Sequence, residues 1–594
     1  MPLFNHTTIL VKPTPTLTLL SRLMRSGRRP QTVRLLIMTT LSCSALTLSG
    51  CWGDNNNSSV TTQPMLPVKY SDATLIEAPV TTKVFTAAQL KAAVDAAGLQ
   101  SAVDQEPLCG ITVEYINHTT TGLKGEATNA TGAVILPNGD NPNCQGDRPI
   151  MLYAHGTTPF KTYNLAALND PDNPAYDTAL LIAANFAGRG DIVIAPNYPG
   201  YDKSTLSYAP YVTAKQGLQM LDGLQAGKLA IEQLAKDSEA DKSAKASQPV
   251  RANDKVFITG YSQGGYVAMA TAKALDEIGH PATAVSPASG PYAITAFADS
   301  IMAGHAIYGG TLFLPMLTSS YEAEYGNINE GVYSDKYAAT APTIFPTTQN
   351  IYALFLSGKI PTTQLFQSSP TGYPILDELP APGAKYAFGF DPSNYLFNTQ
   401  FRANYVQDMT SYPDGIYPTF IGPTAAVPAK SDLPARRAFI ANDLRSYQPK
   451  SPMLLCGGNQ DPSVTYDVNA DAQARIWQAT SKQPFALIDV DTTNQDTRSQ
   501  EGKLTYISTL PNNVNAKVNQ AALNIQNTFA TNLSTMLTNS YQVAYSQAIT
   551  KGKSEAEAKT AGNQARYSQL LSSYHGMLAP YCLSAANTFF DEYR

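Results

Sequence analysis

A serine enclosed by glycines stands between a strand-like and a helix-like segment in the stretch KVFITGYSQGGYVAM. The pattern Gly-x-Ser-x-Gly is filled by Gly260, Tyr261, Ser262, Gln263 and Gly264. On a tight turn from strand to helix, such a serine has its Oγ lifted clear of the sheet, above the helix N-terminus. Small residues are needed there because backbone segments cross closely. We predict that Ser262 is a nucleophile; the alternative is a glycine-rich turn whose serine faces solvent.

A serine hydroxyl is a weak nucleophile at neutral pH, and its base is normally a histidine held by a carboxylate. The sequence contains six histidines, which are His6, His118, His155, His280, His305 and His575. His6 lies in a predicted signal segment, His118 in an early strand, and His280 at the end of the helix that begins at the serine. His155 precedes the serine, whereas His575 follows the last predicted strand. The sequence therefore favours His575 as the base.

The carboxylate that orients this base is expected on the loop after the strand that precedes the last one. Asp461 lies there, after the apolar run PMLLC and the turn GGNQ. Three other aspartates compete: Asp467 on the next predicted helix, and Asp489 and Asp491 at the end of the final predicted strand. An unpaired surface aspartate is the simpler alternative for Asp461. We predict that Asp461 is the acid.

A tetrahedral oxyanion needs two backbone N–H donors. One is expected from Gln263, the residue after the nucleophile. The other is expected from the loop after an earlier strand, where the sequence reads LYAHGTTP. Thr157 is the preferred donor on this loop, with Gly156 and Thr158 as alternatives, and His155 is expected to shape the loop.

These side chains must be positioned by strands and helices that alternate along the chain. Residues 211–236 and 264–279 have helical patterns, and the second ends at Gly279 before Pro281, a common helix-ending pair. Short apolar runs fit strands buried on both faces of a parallel sheet. These runs are VILP at 134, PIMLYAHG at 149, DIVIAPNYPG at 191, KVFITG at 255, ATAVSPASG at 282, PMLLCGG at 452 and FALIDVD at 485. The alternation predicts an α/β fold with a mostly parallel sheet.

Two segments interrupt the alternation. One is rich in Tyr, Phe, Pro and Gly and too long for a loop, so it should form a cap. The other is polar and helical. The predicted divisions are a lipoprotein signal peptide over 1–50, a flexible tether over 51–84, core over 85–289, a cap over 290–450, core over 451–494, a helical insertion over 495–570, and a core C-terminus with the catalytic histidine over 571–594.

The N-terminus has the layout of a secretory signal. Residues 22–34 are basic, and an apolar run from Leu35 ends in small residues before Cys51. The ending Leu-Ser-Gly-Cys resembles a bacterial lipoprotein box, in which Cys51 is lipidated and becomes the first mature residue. The alternative is an ordinary signal peptide with a chance cysteine, and translation could begin at Met1 or Met24. We expect a protein of the bacterial cell envelope that is exported and lipid-anchored.

Charge and cysteine content restrict the partners. Removal of residues 1–50 takes away six of 41 basic and none of 46 acidic residues, which leaves a formal net charge of −11. This balance argues against a nucleic-acid partner. The later cysteines allow three pairings in an oxidising compartment, and we expect Cys109 with Cys144 and Cys456 with Cys582; buried free thiols are the alternative. No Cys-x-x-Cys or His/Cys spacing indicates a metal.

Taken together, several segments resemble the α/β-hydrolase superfamily, and within it secreted lipases and esterases of the secretory-lipase type. The resemblance covers about 110–594 and depends on AHGTT, APNYPGYDKS, SYAPYVTAKQGLQMLDGLQA, GYSQGG, GNQDPSV and YHGMLAPYC. It implies a central sheet with helices on both faces, a cap between the sixth and seventh strands, and a triad of Ser262, Asp461 and His575. It also implies an acyl-enzyme mechanism without a cofactor. The polar helical insertion before His575 departs from the family.

The expected function is hydrolysis of carboxylic esters by a lipase or esterase, with a small-molecule or lipid ester as substrate and membrane contact through the N-terminal lipid. The first alternative is a serine peptidase of the same fold, which should carry a charged pocket for a peptide terminus. The second is a non-catalytic surface binding module, which would be expected to lack a triad member. Oligomeric state is left open.

Overall fold

A ten-stranded mixed sheet forms the centre of this computed structural model. The structure describes residues 68–240, 248–414, 427–428, 430–492 and 506–594. Residues 68–594 form one compact unit. The predicted signal peptide, the lipidation site Cys51 and the first half of the predicted tether lie outside the described residues.

The strands are short, with the longest ones near the start of the chain. They are β1 (Val80–Phe85), β2 (Gly110–Thr121), β3 (Ala127–Asn138), β4 (Asp147–Ala154), β5 (Ile192–Pro196), β6 (Arg251–Tyr261), β7 (Ala284–Ala288), β8 (Phe366–Gln367), β9 (Phe390–Asp391), β10 (Met453–Gly457), β11 (Phe485–Asp489) and β12 (Tyr506–Ser508). Strands β8 and β9 pair only with each other in a separate small sheet.

The helices differ widely in length. They are α1 (Ala87–Ala96), α2 (Tyr176–Asn185), α3 (Lys215–Ala240), α4 (Gln263–Glu277), α5 (Ile294–Met302), α6 (Gly310–Tyr325), α7 (Ile351–Leu356), α8 (Pro374–Asp377), α9 (Thr399–Ser411), α10 (Pro434–Ala441), α11 (Ala472–Thr480), α12 (Asn512–Thr550) and α13 (Glu555–Asp591). Helices α4 and α13 both pack against β6 and β7, and helices cover both faces of the sheet.

The large sheet has the order β1-β2-β3-β5-β4-β6-β7-β10-β11-β12. Neighbouring strands from β5 to β11 in this order are parallel, whereas the pairs at both ends of the sheet are antiparallel. Every residue of β5, β7, β10 and β11 is buried, as expected for parallel strands covered on both faces. The predicted α/β fold class is confirmed.

Because parallel strands share one direction, their carboxyl ends meet at one edge of the sheet. Ser262 directly follows β6, Thr157 lies on the loop after β4, and Asp461 on the loop after β10. Ligand sites of open α/β sheets form at this edge. The strand order therefore brings together loops that are far apart in sequence.

The chain between β7 and β10 contains α5 to α10 together with β8 and β9. In chain order this insertion follows the seventh strand of the large sheet. The limits of a cap over 290–450 remain a prediction.

Helices α12 and α13 form a long antiparallel pair. Helix α13 begins with a capping box, in which Ser554 and Glu557 satisfy each other's backbone N–H groups. Up to Leu537, the buried apolar residues of α12 recur every three or four positions: Val514, Val518, Ala522, Ile525, Phe529, Leu533 and Leu537. The predicted limit between the insertion and the core C-terminus, at residue 570, falls inside α13.

The structure contains two disulfides. Cys109 pairs with Cys144 across 35 residues, and Cys456 pairs with Cys582 across 126 residues. The second bond joins β10 to α13. No helix within the described ranges is both long and apolar enough to cross a membrane.

We predict that the double variant Cys456→Ala/Cys582→Ala unfolds with a free energy about 2–4 kcal/mol lower than the wild type, because the unfolded chain gains the freedom of a long loop. Urea unfolding measures this difference. Cys109→Ala/Cys144→Ala is the matched control and should lose about 1 kcal/mol less, because its loop is shorter. Equal stability of the wild type and the first variant would contradict the assignment.

Candidate active site

Ser262 lies at the turn between β6 and α4. Its backbone has φ 60° and ψ −123°, a left-handed conformation that is strained for a residue with a Cβ. Its N–H donates to the carbonyl oxygen of Ala288 at 2.9 Å, and its own carbonyl accepts from Gly265 N–H at 2.9 Å. These hydrogen bonds hold the strained turn, as a nucleophile on such an elbow requires.

Two glycines let the start of α4 touch the sheet. A Cβ on Gly264 would lie 2.0 Å from the carbonyl oxygen of Ala154 at the end of β4. A Cβ on Gly265 would lie 2.1 Å from the carbonyl oxygen of Ala288 at the end of β7. Any larger residue would push the helix away, so these glycines place Ser262 above the sheet edge.

The structure brings together the three residues that the sequence predicted as a triad. Nε2 of His575 is 2.9 Å from Oγ of Ser262, and Nδ1 is 2.6 Å from Oδ2 of Asp461. Because a carboxylate can only accept, Nδ1 carries the proton and Nε2 is free to accept from the serine hydroxyl. The chain Asp461–His575–Ser262 can therefore move a proton away from the serine.

The loop that contains Asp461 holds the carboxylate of this residue in place. Its Oδ1 accepts the N–H groups of Ser463 and Val464 at 2.9 and 3.0 Å, and its side chain is 1% exposed. The carboxylate therefore has one oxygen fixed by backbone donors and the other aimed at His575.

His575 lies in the middle of α13, not on a loop after the last strand. Tyr261 donates a hydrogen bond from its hydroxyl to the carbonyl oxygen of His575, which fastens the helix to the residue before the nucleophile. Pro580 lies in the same helix and lacks an N–H group. The disulfide at Cys582 ties the next part of α13 to β10. Tyr261 was not predicted as a site residue, although it lies inside the serine motif.

Of the two predicted oxyanion donors, Gln263 is the first residue of α4 and Thr157 lies on the loop after β4. A Cβ on Gly156 would lie 3.9 Å from Cβ of Ser262, so the 155–158 loop adjoins the nucleophile. Within the described part of the chain, the N–H groups of Thr157 and Gln263 donate no hydrogen bond. Oγ1 of Thr157 is 3.0 Å from the hydroxyl oxygen of Tyr211. Both N–H groups therefore stay available to a ligand.

His155 is fully buried below this loop. Its ring nitrogens lie 2.8 Å from the carbonyl oxygen of Gly156 and 3.1 Å from that of Asn197. The ring stacks on Tyr198 with centroids 3.9 Å apart. Burial lowers the pKa of His155 to about 4, so it is neutral at pH 7. These contacts fit the predicted loop-shaping part.

A second polar cluster lies behind the Asp461 loop. Asp491 accepts from the hydroxyl of Tyr574 at 2.6 Å and from the side-chain amide of Gln460 at 2.7 Å. Asp489 accepts from the side-chain amide of Asn459 at 2.9 Å. The cluster joins the loop after β10, the end of β11 and α13, so Asp489 and Asp491, the competing acids, support the loop instead of facing His575.

Comparisons with known proteins address the fold. No protein-family profile and no curated protein matches the sequence. A ligand-bound form of the rice cell wall degrading esterase LipA from Xanthomonas oryzae is 22% identical with a TM-score of 0.53, over 72% of this chain and 92% of that chain. A further LipA structure has the same identity and coverage and a TM-score of 0.52. Lipase A of Candida antarctica in its closed state is 14% identical with a TM-score of 0.39, over 70% of this chain and 76% of that chain.

The chain has an α/β-hydrolase fold. On this fold, the insertion after β7 encloses a cavity above Ser262. The cavity wall is almost entirely aliphatic and aromatic, and none of the described residues that line it carries a charged side chain. Such a cavity favours an uncharged, apolar part of a ligand.

Buried ion pairs stabilise the helices that surround this cavity. Arg436 on α10 contacts Asp299 on α5 through two hydrogen bonds, at 2.9 and 2.7 Å, and Asp408 on α9 at 3.1 Å. All three side chains are nearly inaccessible. Because removal of one partner would leave a buried charge unpaired, the pairs hold the three helices in one arrangement.

Across the residues that the structure describes, no cluster of His, Cys, Asp and Glu side chains could hold a metal ion. The hydrogen-bonded chain at Ser262 consists of the side chains of Ser262, His575 and Asp461.

The cluster behind the acid loop predicts a pH dependence of stability. Burial raises the pKa of Asp489 from 3.8 to about 8, and the charge of Asp491 adds to the shift. The folded protein therefore keeps a proton that the unfolded chain releases, so the free energy of unfolding should fall as the pH rises from about 4 to about 8. Over this range, the free energy of unfolding of Asp489→Asn should fall by less than that of the wild type, with a difference of more than about 1 kcal/mol.

Urea unfolding of both proteins at pH 5 and pH 9 measures this effect. Asp467→Asn is the matched control and should keep the wild-type pH dependence. Parallel pH profiles for the wild type and Asp489→Asn would contradict the assignment.

Proposed function

We propose that this protein is a serine hydrolase that cleaves carboxylic esters through an acyl-enzyme. One observation carries the proposal: Ser262, His575 and Asp461 form a continuous hydrogen-bonded chain on a strand-to-helix turn that opens into an apolar cavity. A strained, buried serine with this pair of partners is the arrangement that activates a hydroxyl group.

In the first half of the reaction, Nε2 of His575 takes the proton of Ser262 while Oγ attacks the ester carbonyl. Asp461 stabilises the resulting imidazolium and keeps its ring oriented. The N–H groups of Gln263 and Thr157 donate to the oxyanion of the tetrahedral intermediate. The intermediate collapses when the C–O bond to the alcohol breaks and His575 returns its proton to the leaving alkoxide.

In the second half, water attacks the acyl group on Ser262. His575 takes the proton of that water, and the second tetrahedral intermediate uses the same N–H donors. Its collapse breaks the bond to Oγ, and His575 returns the proton to the serine. The products are the alcohol and the carboxylic acid, and no cofactor takes part.

The cavity supports an ester rather than a peptide substrate. A peptidase that binds a chain terminus needs a charged partner for that terminus, and no described residue on the cavity wall offers one. The hydrogen-bonded triad likewise favours an enzyme over a silent binding module. Xanthomonas oryzae LipA, described as a cell wall degrading esterase, has the same fold, which is compatible with esterase chemistry.

The predicted lipoprotein box supports a location at a membrane. A lipid on Cys51, followed by the polar segment before residue 85, would hold the hydrolase on the envelope of a bacterium. The two disulfides are compatible with an exported protein. We propose small-molecule or lipid esters as substrates.

We predict that Ser262→Ala and His575→Ala each lower kcat for p-nitrophenyl esters by at least about 1,000-fold, because each removes an essential part of the proton transfer. Asp461→Asn should lower kcat by a smaller but still large factor, because the N–H groups of Ser463 and Val464 hold its amide oxygen and its NH2 group then faces Nδ1 of His575, which favours the wrong tautomer. Initial rates at saturating substrate measure these losses.

The controls for these variants are His280→Gln, which lies on the turn after α4, and Asp467→Asn. Both should hydrolyse the ester at rates close to the wild type. Activity that survives in Ser262→Ala or His575→Ala would overturn the triad, and faster cleavage of prolyl amides than of esters would favour the peptidase.

We also predict that Cys51→Ser moves the full-length protein, expressed in a bacterium, from the membrane fraction to the aqueous phase, because the serine cannot take the thioether-linked lipid. Detergent phase partition and radioactive palmitate incorporation measure this change. The matched control Cys43→Ser should keep the label. A wild-type protein without label would identify an ordinary signal peptide instead.

A further inference from the structure

One polar group stands out on the apolar wall of the cavity. The wall contains side chains from the helices after β7, including Phe297, Ile301, Leu314, Leu317, Phe397 and Phe439. Gln263 lines the same cavity, directly beside the nucleophile, and is 1% exposed. Its position makes it the first polar side chain that a bound acyl group could meet.

The carboxamide of Gln263 is only half satisfied. Its Nε2 donates to the carbonyl oxygen of Pro210 at 3.4 Å. Because a carbonyl can only accept, this contact places the amide nitrogen towards Pro210 and leaves Oε1 on the other side. In the described part of the protein, Oε1 of Gln263 is buried and has no hydrogen-bond donor.

The segment that holds this amide is fixed in place. Val212 has φ 49°, a strained value for a β-branched residue. Its carbonyl oxygen accepts from the hydroxyl of Tyr321 at 2.9 Å, and the N–H of Tyr211 donates to Oγ of Ser320 at 2.9 Å. Two hydrogen bonds to α6 therefore hold the segment, so Gln263 cannot easily turn its amide to find another donor.

The hydroxyl groups along the wall already have partners. Oγ1 of Thr318 contacts the hydroxyl of Tyr333, and Oγ of Ser463 donates to the carbonyl oxygen of Tyr308 at 3.0 Å. Tyr211 contacts Thr157 through its hydroxyl. Among the described residues that line the cavity, Oε1 of Gln263 is the buried side-chain atom that has no hydrogen-bond partner.

We propose that Gln263 makes the enzyme selective for esters whose apolar acyl chain carries a hydroxyl group close to the ester carbonyl. This inference depends on the proposed ester hydrolysis. A hydroxyl on the second or third carbon of the acyl chain would donate to Oε1, while the rest of the chain packs on the apolar wall. An acyl chain without the hydroxyl would leave this buried acceptor without a donor, so it would lack the hydrogen bond that the hydroxyacyl chain gains.

The acyl part, rather than the alcohol, suits this cavity. The acyl group stays bonded to Ser262 between the two halves of the reaction, so it can occupy an enclosed space, whereas the alcohol must leave first. A hydroxyl donor also fits better than an ammonium group, because no described residue on the wall carries a carboxylate to balance the positive charge.

The test compares p-nitrophenyl octanoate with both enantiomers of p-nitrophenyl 3-hydroxyoctanoate and of 2-hydroxyoctanoate. The wild type should cleave one hydroxyacyl ester with a kcat/KM at least about 10-fold above octanoate, because an unpaired buried acceptor carries about this penalty. Gln263→Leu keeps the backbone donor and the side-chain size but removes the acceptor. It should reduce the preference to about 2-fold or less, mainly by slower cleavage of the hydroxyacyl ester, which loses its hydrogen bond.

Thr318→Val is the matched control, since it removes a hydroxyl from the same wall and should keep the wild-type ratio. If Gln263→Leu does not fold, Gln263→Met replaces it, and the wild-type ratio alone remains decisive. Equal wild-type rates on all the esters would overturn the inference and leave ester hydrolysis intact. A preference that persists in Gln263→Leu would also overturn it, and no cleavage of any ester would overturn both proposals.

Discussion

The hydrogen bond between His575 and Asp461 joins two parts of the chain that are 114 residues apart in sequence. Asp461 belongs to the parallel sheet through β10, whereas His575 belongs to the helical pair at the end of the chain. The disulfide at Cys582, the hydroxyl of Tyr261 and the cluster around Asp491 all cross the same junction. Several independent contacts thus fix the base within reach of the serine, as a preorganised site requires.

The second constraint is the enclosure of the serine by the segment after β7. Buried ion pairs around Arg436 hold the surrounding helices together without placing a charge on the cavity wall. The wall can therefore accept an apolar group and exclude water. The exclusion of water would strengthen hydrogen bonds to a developing oxyanion. In the proposed mechanism, the backbone N–H of Gln263 would stabilise the oxyanion, and its side chain would select the substrate.

Parts of this structure could be predicted from local sequence and parts could not. Buried parallel strands are continuous apolar runs, so β4, β5, β6, β7, β10 and β11 were predictable, and so was the loop of Asp461. The polar edge strands β1 and β12 have no such pattern, because one face of an edge strand meets solvent. The helical position of His575 and its contact with Tyr261 depend on how α13 packs on the sheet, which is a tertiary effect. Elimination among the histidines selected His575 but did not predict that it lies within a helix.

The central claim is that Ser262 becomes covalently acylated, and peptide mapping by tandem mass spectrometry tests it most directly. The wild-type protein is treated with a fluorophosphonate, which bonds covalently to an activated serine, and is then digested. We expect one stoichiometric adduct on the peptide that contains Ser262, and no adduct when His575 is replaced by alanine. An adduct on another residue, or an unmodified wild-type protein, would contradict the account.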